Sequence, residues 1–338
     1  MVHFIYSRSS NFKLLSIRLL KFCQLTTRQQ PFKLSQHRTL SSPQVQSRSV
    51  TMNGPESEIK FVPKQVIPST PQLYDELVGS CFGSLAKVSL TFIPPIADGA
   101  VIHDVGCGTG VGTAAVVEAI SGKSLNVSIK GTDINEGALK VYREKAAKDN
   151  WPAEATKDDA NASSFKDDTF TLSLANALIF VLPNDGIDTV KEIYRTLKPG
   201  GKVIINTWKY VPNFLPIQIA SKATRPEGTP LPRAGSEKWS QPEFLQSIIE
   251  KGGFEKEKIV IETSPVFYHT AEMDHYANML WSFIGGTTTA GWLRSDEENW
   301  DKAIEVVKQE VRKTEGYQEV PGNKGILKFV ANIAIATK

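Results

Sequence analysis

The chain is 338 residues long and carries 39 Lys and Arg against 36 Asp and Glu, a net charge of +3. Eight of those bases, and no acid, fall within residues 1–51, so the rest of the chain holds 31 bases against 36 acids. The body is therefore mildly acidic, and charge gives no reason to expect a nucleic-acid partner. Cys23, Cys81 and Cys107 form no CxxC pair and have no metal-like spacing with the five histidines, which argues against a disulfide framework or a zinc site.

Residues 1–51, rich in Ser, Thr and Gln, have the composition of a mitochondrial transit segment. Lys13, Arg18 and Lys21 share one side of a helical wheel, with apolar residues on both flanks. Translation from Met52 is the alternative, and it moves the expected location from the mitochondrion to the cytoplasm. No apolar run is long enough to span a membrane. The body from Met52, 287 residues, suffices for one large domain or a domain with a cap. It shows no internal repeat.

Residues 52–70 are polar and spaced by Pro55, Pro63 and Pro68, and read as an extended linker. A helical pattern follows from Pro71 to Phe92, interrupted by Gly79 and Gly83, and Pro94-Pro95 ends it. Val101-Ile102-His103-Asp104-Val105 then reads as a buried strand. Gly106, Gly108, Gly110 and Gly112 follow at alternate positions, and Thr113 to Ile120 resumes at helical spacing. Such a loop leaves backbone amides bare against a ligand and opens a helix N-terminus, which favours an anion. Asp104, just before the loop, suits a donor or a positive group on the same ligand. His103 lies on the buried strand and reads as a core residue.

Asn126 to Thr132 is a second strand, ending at Asp133 and Ile134. Asp133 lies 23 residues past Gly110, where an acid is placed to accept from both ribose hydroxyls of a nucleoside cofactor. It also suits the N-cap of the helix expected over 135–148. A polar loop, Asp158-Asp159-Ala160-Asn161-Ala162-Ser163-Ser164-Phe165, leads to the central strand, Phe170 to Asn176. A helix over 185–197 ends in Leu197-Lys198-Pro199-Gly200-Gly201, which reads as a turn into the strand 202–208. Residues 211–242 hold six prolines and read as an irregular substrate-side loop or lid. Helix 244–251, strand 258–262, two helices near 271–284 and 296–314, and strand 327–337 complete the pattern. Aromatic residues concentrate between the last two strands, which suits a cap over an apolar or planar substrate.

Which cofactor the loop holds depends on spacing. A GxxxxGK[ST] phosphate loop is absent. Gly110-x-Gly112-x-x-Ala115 matches a dinucleotide loop literally, but begins five residues past the strand, late for a pyrophosphate turn. The better fit is Asp104-x-Gly106-x-Gly108-x-Gly110, which resembles the first motif of class I S-adenosylmethionine-dependent methyltransferases. Asp159-Ala160 and the residues up to Phe170 resemble the D-A-x-x-L-P-F-x-D-x-x-F element of the ubiquinone-biosynthesis type, with Ser163-Ser164 where Leu-Pro is frequent. Tyr74-Asp75 resembles the aromatic-acid pair of an N-terminal helix that folds over the cofactor, and L-K-P-G-G is a frequent feature of the class. Together these residues, with Phe283-Ile284-Gly285-Gly286-Thr287-Thr288, most resemble fungal secondary-metabolism methyltransferases.

The resemblance covers roughly residues 70–338. It implies an α/β doubly wound, mostly parallel sheet of seven strands, Rossmann-like, with an α-helical cap. The expected division is a leader (1–51), a linker and cap helix (52–98), a cofactor-binding core (99–210) and a substrate-side region (211–338) whose cap insertion covers 265–325. The implied reaction moves a methyl group from S-adenosylmethionine to O, N, S or C of a small, apolar or aromatic acceptor. Cofactor contacts are expected from Tyr74, Asp104, Gly106, Cys107, Gly108, Gly110, Asp133, Ile134, Asp159, Ala160 and Asn176, and no metal is expected. Tyr268, His269 and His275 are the candidate bases. The alternatives are an NAD(P)-dependent oxidoreductase, a non-catalytic cofactor-binding relative and a mitochondrial quinone-type methyltransferase.

Overall fold

A computed structural model describes residues 61–338; the basic leader and residues 52–60 of the linker lie outside the described residues. Eight strands form one sheet: β1 (Val101–Val105), β2 (Ser128–Asp133), β3 (Ala153–Lys157), β4 (Phe170–Ala175), β5 (Leu197–Tyr210), β6 (Ile259–His269), β7 (Gln318–Val320) and β8 (Lys324–Thr337). Seven run in the order β3-β2-β1-β4-β5-β8-β6, and the short β7 pairs with β8. β1 to β5 are mutually parallel, whereas β8 runs antiparallel to both β5 and β6. The expected doubly wound, mostly parallel sheet is thus present, with the short β7 added to the seven strands expected.

Alternation along the central strands builds two cores. Ile102, Leu172, Leu174 and Ile204 face one side; Val105, Phe170, Val203 and Ile205 face the other. The second core is closed by α5 (Ile187–Thr196) and α7 (Pro242–Lys251), through Val190, Ile193, Leu245, Ile248 and Ile249. The first is closed by α2 (Ser80–Leu90), α3 (Val111–Ile120), α6 (Phe214–Thr224), α8 (Met273–Ile284) and α10 (Trp300–Val311). Two more helices flank them in the chain, α1 (Pro71–Tyr74) and α9 (Arg294–Glu298), and α4 (Glu136–Lys148) packs Leu139, Tyr142 and Ala146 near the glycine loop.

Several local readings need correction. Leu197 to Gly201 is not a free turn but the start of β5; Gly200 takes φ +78 and the pairing with β4 slips between Phe170 and Leu172, a bulge that absorbs Pro199. The Pro-rich stretch 211–242 contains α6, because Pro216 falls in its first turn, where a missing N–H costs nothing. β3 has a mostly exposed pattern and carries no apolar alternation to betray it. The N-terminal helix is broken by a π-turn, Asp75–Gly79, between α1 and α2, a feature often found at functional sites.

The cap is anchored by a buried ion pair. Arg225, just after α6, donates Nε to Asp296 Oδ1 at 2.7 Å and Nη2 to Asp296 Oδ2 at 2.9 Å. Both side chains are fully buried, Nη2 also reaches the Gly285 carbonyl, and the guanidinium lies near the rings of Trp281 and Trp292. Gly285-Gly286 is where Trp292 packs: a Cβ on Gly286 would stand 2.3 Å from its indole nitrogen.

Candidate active site

The glycine loop is shaped by three left-handed residues, Gly106, Gly108 and Gly110, at φ +63, +52 and +94. Two of them are also packed. A Cβ on Gly106 would enter Leu178 at 2.5 Å, and one on Gly110 would meet Tyr142 at 2.8 Å. Gly108 differs, since a Cβ there would meet nothing within 4 Å. The loop therefore leaves an open space over Gly108.

Asp104 is buried beneath the loop. Its Oδ2 accepts the Thr113 amide at 2.8 Å and the Thr113 hydroxyl at 2.7 Å. The anion expected at the N-terminus of α3 is thus the protein's own carboxylate, acting as a remote cap. Burial raises its pKa to about 6, against the lowering effect of the Thr113 hydrogen bonds. Cys107 is buried beside it; burial, with Asp104 adding to it, pushes its thiol up.

Asp133 stands half-buried at the end of β2, facing the loop. Its Oδ2 accepts the Gly108 amide at 2.9 Å and its Oδ1 the Asn135 amide at 2.8 Å. The N-cap of α4 is not Asp133 but Asn135, which accepts from Ala138. Beside Asp133, Ile134 is 66% exposed, an apolar platform at the strand end. Across β3, Asp158 is occupied by Ser163 and Ser164, while the exposed Asp159 holds Asn161 through Oδ1. The π-turn closes over this edge: Asp75 accepts from Thr109 of the loop and, at 2.7 Å, from Lys145 of α4.

Next to this edge lies a cavity of about 650 Å³. Ala177 and Phe180 line it from the end of β4, and Trp208, Asn213 and Phe214 from the end of β5. Tyr74, Phe82, Phe283, Tyr268 and the segment 230–236 complete its wall. Tyr74 packs on Phe82 and Phe283, with centroids 6.0 and 5.4 Å away.

Residues 102–201 match the family described as Methyltransferase domain. A demethylmenaquinone methyltransferase from Clavibacter sepedonicus is 36% identical over 116 residues, 33% of this chain and 42% of that protein. Methyltransferase ktnA from Aspergillus niger is 22% identical over 80% of this chain and 98% of its own length. A solved SAM dependent methyltransferase from Aquifex aeolicus covers 59% of this chain and 94% of its own at a TM-score of 0.43 and 18% identity. Residues 102–201 are therefore a methyltransferase domain, for which S-adenosylmethionine is the expected cofactor. The chain's matches span less than half the length of the demethylmenaquinone methyltransferases.

The residues of the domain fit that cofactor. The open space over Gly108 is a cradle that any Cβ would narrow, and the carboxylate of Asp133 and the apolar face of Ile134 stand beside it. Asn176 is used differently from the cofactor contact expected of it. Its Nδ2 donates to the Phe82 carbonyl at 3.1 Å and its Oδ1 accepts from Asn206 at 2.8 Å, tying β4 and β5 to α2.

The candidate bases separate. On β6 alternate residues face opposite ways, so Tyr268 lines the cavity while His269 is exposed and does not. His275, on the outer face of α8, is exposed and pairs with Glu76 at 2.7 Å. Neither histidine lines the cavity, so the expectation of a histidine base is corrected. Burial raises the Tyr268 hydroxyl, with Cys81 and Glu76 adding to the rise, so it stands protonated at neutral pH and donates to the Glu76 carbonyl at 3.4 Å. His103 is a core residue, stacked on Phe170 at 4.5 Å and bonded to Thr132, and burial lowers its pKa to about 4.

Other residues had no sequence signal. Thr109 and Lys145 meet Asp75 only through tertiary packing. Arg233 enters the cavity wall from a Pro-rich segment whose inward face no periodicity marks.

Proposed function

We propose that the chain transfers a methyl group from S-adenosylmethionine to a small apolar or aromatic acceptor, within secondary-metabolite biosynthesis. The observation that carries this reading is the aromatic-walled cavity at the carboxyl ends of β4 and β5, adjoining the glycine-loop edge. Such a crevice is where open α/β sheets bind ligands. Likeness to Methyltransferase ktnA along nearly its whole length supports a methyl-transfer role for the whole body.

The cofactor, when bound, supplies an electrophilic methyl group on a sulfonium. The chain's residues then have little acid–base chemistry to do. In this reading Asp133 would take the ribose hydroxyls, Ile134, Asp159 and Ala160 the adenine, and Gly106 to Gly110 the amino-acid part. Tyr74 and Asp75 hold the cap over this edge and exclude water. Phe82, Trp208 and Phe283 hold an acceptor by its apolar surface, so that alignment supplies most of the acceleration. Tyr268, whose hydroxyl donates to the Glu76 carbonyl at 3.4 Å, offers the acceptor its ring face.

The test is incubation of the full chain with methyl-tritiated S-adenosylmethionine and a panel of apolar phenols, thiols and amines. Label should move into the organic phase for a subset of them, and the Asp133→Ala variant should slow it at cofactor concentrations below saturation. Tight binding of S-adenosylhomocysteine without transfer to any acceptor would favour a non-catalytic cofactor-binding protein.

A further inference from the structure

Most charge in the cavity wall is neutralised locally. Lys238 donates to Asp185 and also lies over Trp239 and Phe244. Arg233 is different. Among the described residues its guanidinium makes no salt bridge or side-chain hydrogen bond, and its Nε is buried without a partner. An unpaired, half-buried cation is unfavourable, and arginine does not escape by losing its proton at neutral pH. Burial does push its pKa down, with Tyr74 opposing the shift. The backbone adds to the cost: Arg233 sits at φ +60, a left-handed conformation that bulky side chains rarely adopt.

Two other polar groups of the wall are also donors. Burial raises the Tyr74 hydroxyl to about 12 while the Arg233 charge pulls it back, so it carries its proton at neutral pH. Among the described residues that hydroxyl has no hydrogen-bond partner. Asn213 uses its Oδ1 to accept from Tyr276 at 2.9 Å, which leaves its amide N–H groups toward the cavity. These donors, beside the Thr288 hydroxyl, which can donate or accept, describe in an aromatic wall the complement of an apolar molecule with a negatively charged oxygen.

We propose that the acceptor is a ring-bearing organic anion and that Arg233, with Tyr74 beside it, binds its charged oxygen. This rests on the reading of the cavity as the acceptor site. It also accounts for a wall without a histidine, since an acceptor bound in ionised form needs no base from the protein.

The test uses the full chain saturated with S-adenosylhomocysteine and two fluorescent probes, 8-anilinonaphthalene-1-sulfonate and N-phenyl-1-naphthylamine. They share the aryl skeleton and differ in the sulfonate. The native protein should bind the sulfonate at least tenfold more tightly. Arg233→Gln should erase that preference and leave the neutral probe within twofold, which also shows that the variant is folded; Arg233→Lys should retain part of the preference. Equal affinity of the native protein for both probes, or a preference that survives Arg233→Gln, overturns the proposal. So does a tenfold loss of S-adenosylhomocysteine affinity in Arg233→Gln, which would assign the guanidinium to the cofactor's own carboxylate. Failure of the native protein to bind S-adenosylhomocysteine at all would instead remove the methyl-transfer reading, and the probe comparison, run without it, would stand by itself.

Discussion

Asp104 holds Thr113: one carboxylate oxygen takes both the amide and the hydroxyl of that residue, across the first turn of α3. The bond fixes the strand end to the helix start, and the glycine loop is strung between them. Burial holds the Asp104 carboxyl at about 6, above its usual 3.8. A carboxyl whose folded pKa is raised contributes most to stability below its unfolded pKa, and that contribution is lost as pH rises through the folded value. The unfolding free energy of the native protein relative to Asp104→Asn should therefore fall between pH 4 and pH 6.5, by on the order of 3 kcal/mol. Urea titrations of both proteins across that range would show it; a flat difference would mean that Asp104 titrates normally.

The glycines of the loop should divide by role. Gly112→Ala puts a Cβ 2.9 Å from Asp104 Oδ1 and should cost about 1–3 kcal/mol of stability. Gly108→Ala meets no atom of the protein but keeps φ +52, and should cost only about 1–2 kcal/mol. Calorimetric titration should reverse the order, with Gly108→Ala losing more affinity for S-adenosylhomocysteine. Equal binding losses would place the cofactor elsewhere.

Asp133→Ala removes a carboxylate that now holds the Gly108 and Asn135 amides. Its loss should weaken S-adenosylhomocysteine binding by roughly 1–3 kcal/mol, through lost charge-assisted bonds. Unchanged affinity in a folded variant would remove Asp133 from the site.

The parts of the chain that were readable in sequence are those governed by neighbours along the backbone. The run from Val101 to Ile120 declares strand, loop and helix because side-chain bulk disappears at alternate positions between two apolar patterns. Residues whose roles depend on distant partners were not readable. Asn176 looks like a free amide at a strand end, and only the approach of Asn206 and Phe82 shows that both its ends are taken. His269 and Tyr268 are adjacent in sequence, and the register of β6 on β8 decides which of them meets the cavity. The same holds for Asp296, an ordinary acid in sequence that is paired in the interior with a residue 71 positions away.

That pair gives a sharp expectation for the cap. Asp296→Ala leaves the Arg225 guanidinium buried with only the Gly285 carbonyl. Breaking a buried pair from one side costs about 3–5 kcal/mol. Thermal unfolding should drop accordingly. A shift within error would mean that the cap relaxes enough to hydrate Arg225.

The central claim is that the glycine-loop edge binds a methyl donor, not a dinucleotide. Calorimetric titration of the full chain with S-adenosylhomocysteine, and separately with NADH, tests it most directly. The account predicts micromolar binding of S-adenosylhomocysteine and none of NADH. Binding of NADH alone would contradict it and return Gly110-x-Gly112-x-x-Ala115 to the centre of the site.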